Sequence, residues 1–144
     1  MKERNTGNQK IMKVKFIVPG PPVAKQRPRL GKGGRVYTPN KTKNYESLVA
    51  YHYKGNPSFK DQYLKIEILF KFEVPKSYSK KKRSDALNGI LRPQRADIDN
   101  YIKSILDGLN KVAWEDDRMV CVVHAEKVYA EVSETIIKIE NISK

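Results

Sequence analysis

The chain has 144 residues, a formal charge of +13 and 39% hydrophobic residues. That length and apolar content suit one domain with a core of its own and argue against two. One cysteine and two histidines exclude a disulfide framework and make a zinc site a poor reading, and every apolar run is strand-sized rather than membrane-spanning.

A field of this sign attracts polyanions, nucleic acid first among them. An anionic membrane surface would call for a basic amphipathic helix or a lipidation signal, and neither is visible. The plain alternative is a soluble Lys-rich surface, but the basic residues bunch in loops. With no signal peptide and no cysteine framework, a cytoplasmic setting is expected.

Residues 1–10 are polar and aperiodic and read as a disordered tail ahead of a single domain over residues 11–144. Met12, Val14, Phe16 and Val18 alternate with Lys13, Lys15 and Ile17, which predicts a first strand stopped by Pro19-Gly20-Pro21-Pro22. A long loop runs on to about Asn40 and carries Lys25, Arg27, Arg29, Lys32 and Arg35 around Gly31, Gly33 and Gly34. Arginine forks hold phosphate oxygens and glycine permits close backbone approach, so this loop reads as a DNA-backbone arm; otherwise it is a solvated basic loop. It contains no Walker-type Gly-Lys-Ser/Thr, so no nucleotide cofactor is expected.

Thr38-Pro39 predicts an N-cap and first helical position, with Tyr45, Leu48, Val49 and His52 on one face of a helix ending at Gly55-Asn56-Pro57. Leu64, Ile66, Ile68, Phe70 and Phe72 alternate with Lys65, Glu67, Lys71 and Glu73 in the clearest strand of the chain. Ser79 is placed to cap a short helix that ends at Asn88-Gly89. Its Lys80-Lys81-Lys82-Arg83 run is either a phosphate contact or a solvated face, and Arg92 and Arg95 join it as candidate DNA contacts.

Ile98, Tyr101, Ile102, Ile105, Leu106 and Leu109 then repeat at helical spacing. Asp97 stands at the N-cap position, Asp99 in the first turn, and Asp99, Lys103 and Asp107 step by four along the polar face. Gly108 and Asn110 weaken the helix near its end. Trp114 returns to the core, and a strand from Met119 to Tyr129 starts beside Asp116 and Asp117, with Cys121 read as a buried small hydrophobe. Ile136, Ile137 and Ile139 predict a last strand pairing back as a hairpin. The order implies an α+β (mixed α/β) fold: one four-stranded mixed sheet packed with two main helices.

Three readings compete for Asp97, Asp99, Asp116 and Asp117. They are caps and turn formers, a paired-carboxylate acid/base site, or hard oxygen donors for Mg2+. The basic surface disfavours the second, since sugars need no such field. Lys103 either steadies charge on a phosphoryl transition state or forms an i, i+4 pair with Asp99 and Asp107.

Asp97-Ile98-Asp99-Asn100, Lys103, Leu106-Asp107, Trp114 and Asp116-Asp117-Arg118 resemble the D-x-D-N-x-x-K…L-D…W-x-D-D signature of the RusA-like Holliday junction resolvases. Lys25-Gln26-Arg27-Pro28-Arg29, Val36-Tyr37-Thr38-Pro39, Lys41-Thr42 and Lys127 are similar to further parts of that family's pattern, so the likeness runs from about Val14 to Ile139. The resemblance implies a homodimeric, Mg2+-dependent endodeoxyribonuclease, with Mn2+ as a substitute, of the kind phages and prophages carry. Its implied substrate is a four-way DNA junction, its catalytic and metal-binding carboxylates Asp97, Asp99 and Asp117 with Asp116 beside them, and its active-site lysine Lys103. Tyr101 stands where a leucine is usual. The rival from another class is a non-catalytic basic nucleic-acid-binding phage protein, a regulator or recombination accessory factor.

Overall fold

The computed structural model describes residues 11–142. The expected tail at residues 1–10 lies outside them. The sheet is built outward from β4 (Tyr63–Glu73), whose Leu64, Ile66, Ile68, Phe70 and Phe72 all point into the core. Strict alternation in the sequence becomes a two-faced strand because successive side chains leave a strand on opposite sides. β1 (Lys13–Pro19) and β6 (Glu134–Ile142) repeat the pattern in register: Phe16 pairs with Ile137, and Ile137 with Ile68. β5 (Val120–Ala130) completes the order β1-β6-β4-β5.

Three helices follow from the chain's polar and apolar spacing: α1 (Asn40–Tyr53), α2 (Lys80–Leu87) and α3 (Ile98–Leu109). The short α2 is capped as expected, its Ser79 hydroxyl accepting from the Lys82 N–H. α1 begins after Pro39 with no side-chain cap, one residue later than the Thr38 cap expected. Tyr45 anchors α1 to the sheet through a buried hydroxyl pair with Thr135 at 3.1 Å. Tyr101 of α3 packs its ring against both Phe70 and Phe72, at 5.4 Å each. Each such fully buried large apolar side chain stabilises the fold by about 1.5–3 kcal/mol.

Three expectations change. The last two strands are not a hairpin. β5 runs parallel to β4, β6 runs antiparallel to it, and β4 lies between them. A parallel pair needs a long crossover, and residues 74–119 with α2 and α3 supply it. The short turn at residues 131–133 instead steps across the end of β4, where the Glu73 N–H reaches the Ser133 hydroxyl and the Val74 N–H reaches the Ala130 carbonyl. Cys121 is exposed rather than buried. It falls at the register break between the Leu64–Val120 and Lys65–Val122 pairs, and such a bulge on an edge strand turns a side chain out of the ladder. The basic arm, read as an unstructured loop, holds a small two-stranded ribbon, β2 (Arg29–Leu30) with β3 (Val36–Tyr37), closed by a single 3-10 turn at Lys32–Gly34.

Gly108, which reads from sequence as a weak spot in α3, is the point where α1 and α3 touch. A Cβ there would stand 2.9 Å from Val49 Cβ and 3.1 Å from the Glu46 carbonyl oxygen. Neither neighbour is the loose end of a side chain, so the helices would have to separate. Gly108→Ala is expected to lower unfolding free energy by about 1–3 kcal/mol, outweighing the roughly 1 kcal/mol that alanine gains in helix propensity. Urea unfolding measures this, with Val49→Ala/Gly108→Ala recovering part of the loss; a stabilised single variant would refute the close approach.

Candidate nuclease site on the acidic helix

α3 has two functional edges. Its apolar edge buries Tyr101, Ile105 and Leu109, and its polar edge carries Asp99, Lys103 and Asp107. One helical turn, about 5–6 Å, separates each member of that polar strip from the next. Asp97 occupies the N-cap position, as expected, but its side chain makes no capping hydrogen bond. Asp97 and Asp99 are both exposed, and neither joins an ion pair among the described residues. A carboxylate that neither caps nor pairs contributes little to folding, which leaves it free for a ligand.

The second acidic segment meets the same helix further along. Trp114 is buried and donates its indole N–H to Asp117 Oδ1 at 2.7 Å. Asp116 accepts from the Arg118 N–H and so begins the 3-10 turn Asp117–Met119. Burial raises the Asp117 carboxyl above its ordinary range; the Trp114 hydrogen bond opposes this, the charges of Asp107 and Asp116 add to it, and Lys103 opposes it again. Asp117 therefore feels Lys103 and two other aspartates. Asp107, Asp116 and Lys103 are near enough for their charges to act on Asp117, while Asp97 and Asp99 sit at the N-terminal end of α3, with Lys103 one turn beyond Asp99.

A divalent hard cation would suit these oxygens chemically. Nevertheless, among the described residues no three His, Cys, Asp or Glu stand as a group able to hold a metal ion. Within one chain the four aspartates do not make a ready ligand set.

The basic candidates divide. Lys25 is committed inside the molecule: its Nζ lies 2.6 Å from Glu46 of α1 and 3.0 Å from Asp107 of α3, and its N–H reaches the Asn100 carbonyl at 2.8 Å. Burial draws its pKa down, but the hydrogen bonds and charges of Glu46 and Asp107 outweigh that and raise it. Arg92 also has an internal task, donating to Glu126 at 2.7 Å and to the Lys127 carbonyl, while Lys127 holds the Ala96 carbonyl at 3.1 Å. These bonds tie the segment before Asp97 to β5. Arg27, Lys32 and Arg35 on the arm are exposed and unpaired among the described residues; Arg29 opens β2.

Lys80, Lys81, Lys82 and Arg83 crowd the first turn of α2, which has no acidic residue. Cations there oppose the helix dipole. Lys81 is neutralised by Asp85 at 2.9 Å, Lys82 lies over the Tyr78 ring, Arg83 is 3.9 Å from Glu131, and Arg95 lies over the Phe72 ring at 5.8 Å. Sequence reasoning missed Glu46 as the partner of Lys25, because nothing local links positions in separate elements.

The raised Asp117 pKa has a testable consequence. A carboxyl whose pKa the fold raises binds its proton more tightly when folded, so it contributes stability that is complete below its unfolded pKa, about 3.9, and is lost as pH rises through the folded value. Asp117→Asn imitates the protonated form at every pH and can keep the Trp114 hydrogen bond. It is expected to melt higher than the parent at pH 7–8, with the gap closing near pH 3–4; a variant that melts lower at neutral pH would contradict the acidic neighbourhood described above.

Residues 19–140 match the family model described as Endodeoxyribonuclease RusA. An uncharacterized protein of Bacillus subtilis (strain 168), YqaN, is 34% identical over 139 residues, covering 90% of this chain and 97% of its own length. The match spans the basic arm, the acidic helix and the strand after it, so this chain belongs to the RusA endodeoxyribonuclease family.

Proposed function

We propose that the protein is a Mg2+-dependent, structure-selective endonuclease that resolves four-way DNA junctions by paired symmetric nicks, working as a homodimer in the cytoplasm during recombination and repair. The observation that carries this reading is the pair Asp97–Asp99. Two exposed carboxylates, spent on neither capping nor ion pairing, stand at the head of a helix in a chain of net charge +13 that belongs to a DNA endonuclease family. Cations crowded at the start of α2 support it from another direction: they cost helix stability, so an external anion is the reason we assign them.

In this reading Asp97, Asp99 and Asp117, with Asp116 beside them, would be the protein's metal donors in a set completed by DNA phosphate oxygens, since within one chain they form no ready ligand set. Magnesium, or manganese in its place, would supply an acidified water and charge neutralisation at the phosphate. Lys103, between Asp99 and Asp107 on the helix, balances charge on the phosphoryl group. Arg27, Lys32, Arg35 and the α2 lysines hold the backbone, which makes affinity fall steeply with salt. A two-fold dimer matches the near two-fold symmetry of a four-way junction and presents one site to each of two opposed strands.

A synthetic four-way junction with the protein and Mg2+ should yield paired nicks, and omission of the metal should stop them. Asp97→Asn and Asp99→Asn are expected to lower cleavage by about 10²-fold or more while gel retardation of the junction persists. Lys103→Ala should slow cleavage more than it weakens binding. Undiminished nicking by Asp99→Asn would remove the carboxylate pair from the reaction. Separately, Lys80→Glu/Lys82→Glu should raise the melting temperature, since each reversal near the helix start is worth about 0.3–1 kcal/mol. It should also weaken junction binding and flatten its salt dependence; a salt slope equal to the parent's would make this helix face mere solvent-exposed charge.

A further inference from the structure

A groove of about 850 Å³ borders the acidic helix without containing its carboxylates. That volume lies within the roughly 300–1,000 Å³ range of sites that enclose small organic groups. Pro21 and Pro22 line it from the segment after β1 and Val74 and Pro75 from the end of β4, backed by Phe72 and Tyr101, whose buried rings pack on each other. Besides Lys25, which Glu46 and Asp107 already hold, three cations reach it from separate elements: Lys41 on α1, Lys76 beyond β4, and Arg95 ahead of α3. None of the three is in an ion pair among the described residues, and Glu73 is the single acidic residue of the lining.

The chemistry of that lining is apolar at its walls and cationic around them. It matches a planar, weakly polar body with anionic groups attached, which describes a nucleotide. Arginine planes and aromatic rings are the surfaces on which unstacked bases settle. Arg95 already stands over the Phe72 ring, its guanidinium carbon 5.8 Å from the centroid. A base inside a duplex stack offers only its edges, so a base that enters has to leave the stack. The groove is also braced: the Lys25 N–H holds the Asn100 carbonyl on one side, and Lys127 holds the Ala96 carbonyl on the other. Ala96 and Asn100 line the groove and flank Asp97 and Asp99 in the chain.

We propose that this groove seats one unstacked nucleobase of the strand being cut, next to the phosphate offered to Asp97 and Asp99, with Arg95 as the residue that holds the base and Lys76 and Lys41 on its phosphates. The proposal rests on the junction-nuclease reading, yet it fails separately from it. The test places 2-aminopurine in turn at each position flanking the cut in a synthetic four-way junction, bound by the Asp99→Asn protein so that the strand stays whole. A several-fold rise in emission is expected at one position. Arg95→Ala in that background should abolish the rise while the junction is still retarded in a gel. Lys76→Ala should reduce it, and Arg95→Lys, which keeps the charge without the planar fork, should restore only part.

If no position brightens although the junction is bound, or if the rise survives Arg95→Ala and Lys76→Ala unchanged, the groove does not take a base. Circular dichroism on each variant separates a lost subsite from a lost fold, and Lys76→Ala carries the test should Arg95→Ala unfold. A parent protein that cuts no DNA overturns the nuclease reading instead, and the emission experiment still reports on the groove.

Discussion

The ammonium of Lys25, held between Glu46 and Asp107, is the constraint on which the site's geometry depends. Three separate pieces of chain meet at that one charge: the basic segment after β1, helix α1 and the acidic helix α3. Its side chain is only 16% exposed, so the interaction is shielded from water far more than a surface pair. Removing the ammonium would leave two carboxylates facing one another across the α1–α3 contact, which is much costlier than losing an exposed pair. Its backbone N–H fixes the same segment to α3 at Asn100. The strongly cationic arm that follows is thereby anchored beside the aspartates rather than tethered at random.

α3 serves two masters because a helix presents different residues to different sides every hundred degrees. One side is welded to the sheet through Tyr101, Ile105 and Leu109, and close to α1 through Gly108. The other carries a strip of alternating charge that meets Asp117 near its far end. Rigid packing on the first side is what holds the second in place. Trp114 extends the same logic: a wholly apolar burial, with one polar handle directed at Asp117, turns core packing into control of a carboxylate.

Charge is segregated as well as abundant. Several cations are consumed by internal partners: Lys25 by Glu46 and Asp107, Arg92 by Glu126, Lys71 by Glu134. Among the described cations with no carboxylate partner are Arg27, Lys32 and Arg35 on the arm, Lys80 and Lys82 at the head of α2, and Lys41, Lys76 and Arg95 around the groove. Counting lysines and arginines in the chain therefore overstates how many can meet phosphate, and the structure sorts them by whether a carboxylate already stands nearby.

Local pattern was enough for the main strands and helices, though not for the small ribbon of the basic arm. Strict alternation in β4, the helical spacing of Ile98 to Leu109, the Ser79 cap and the position of Asp97 at a helix start all come from physics acting within a few residues, where sequence distance equals spatial distance. The two short acidic segments, Asp97–Asp99 and Asp116–Asp117, stood out in the same way, by their unusual composition in a basic chain. Tertiary structure alone decided how those segments are arranged. It put β5 parallel to β4 rather than in a hairpin with β6, turned Cys121 outward at a bulge, made Gly108 a helix contact instead of a weakness, and spent Lys25 on Glu46 and Asp107. Each of those outcomes depends on groups far apart along the chain, whose meeting is set by which surfaces can be buried together and not by any periodicity a single segment carries.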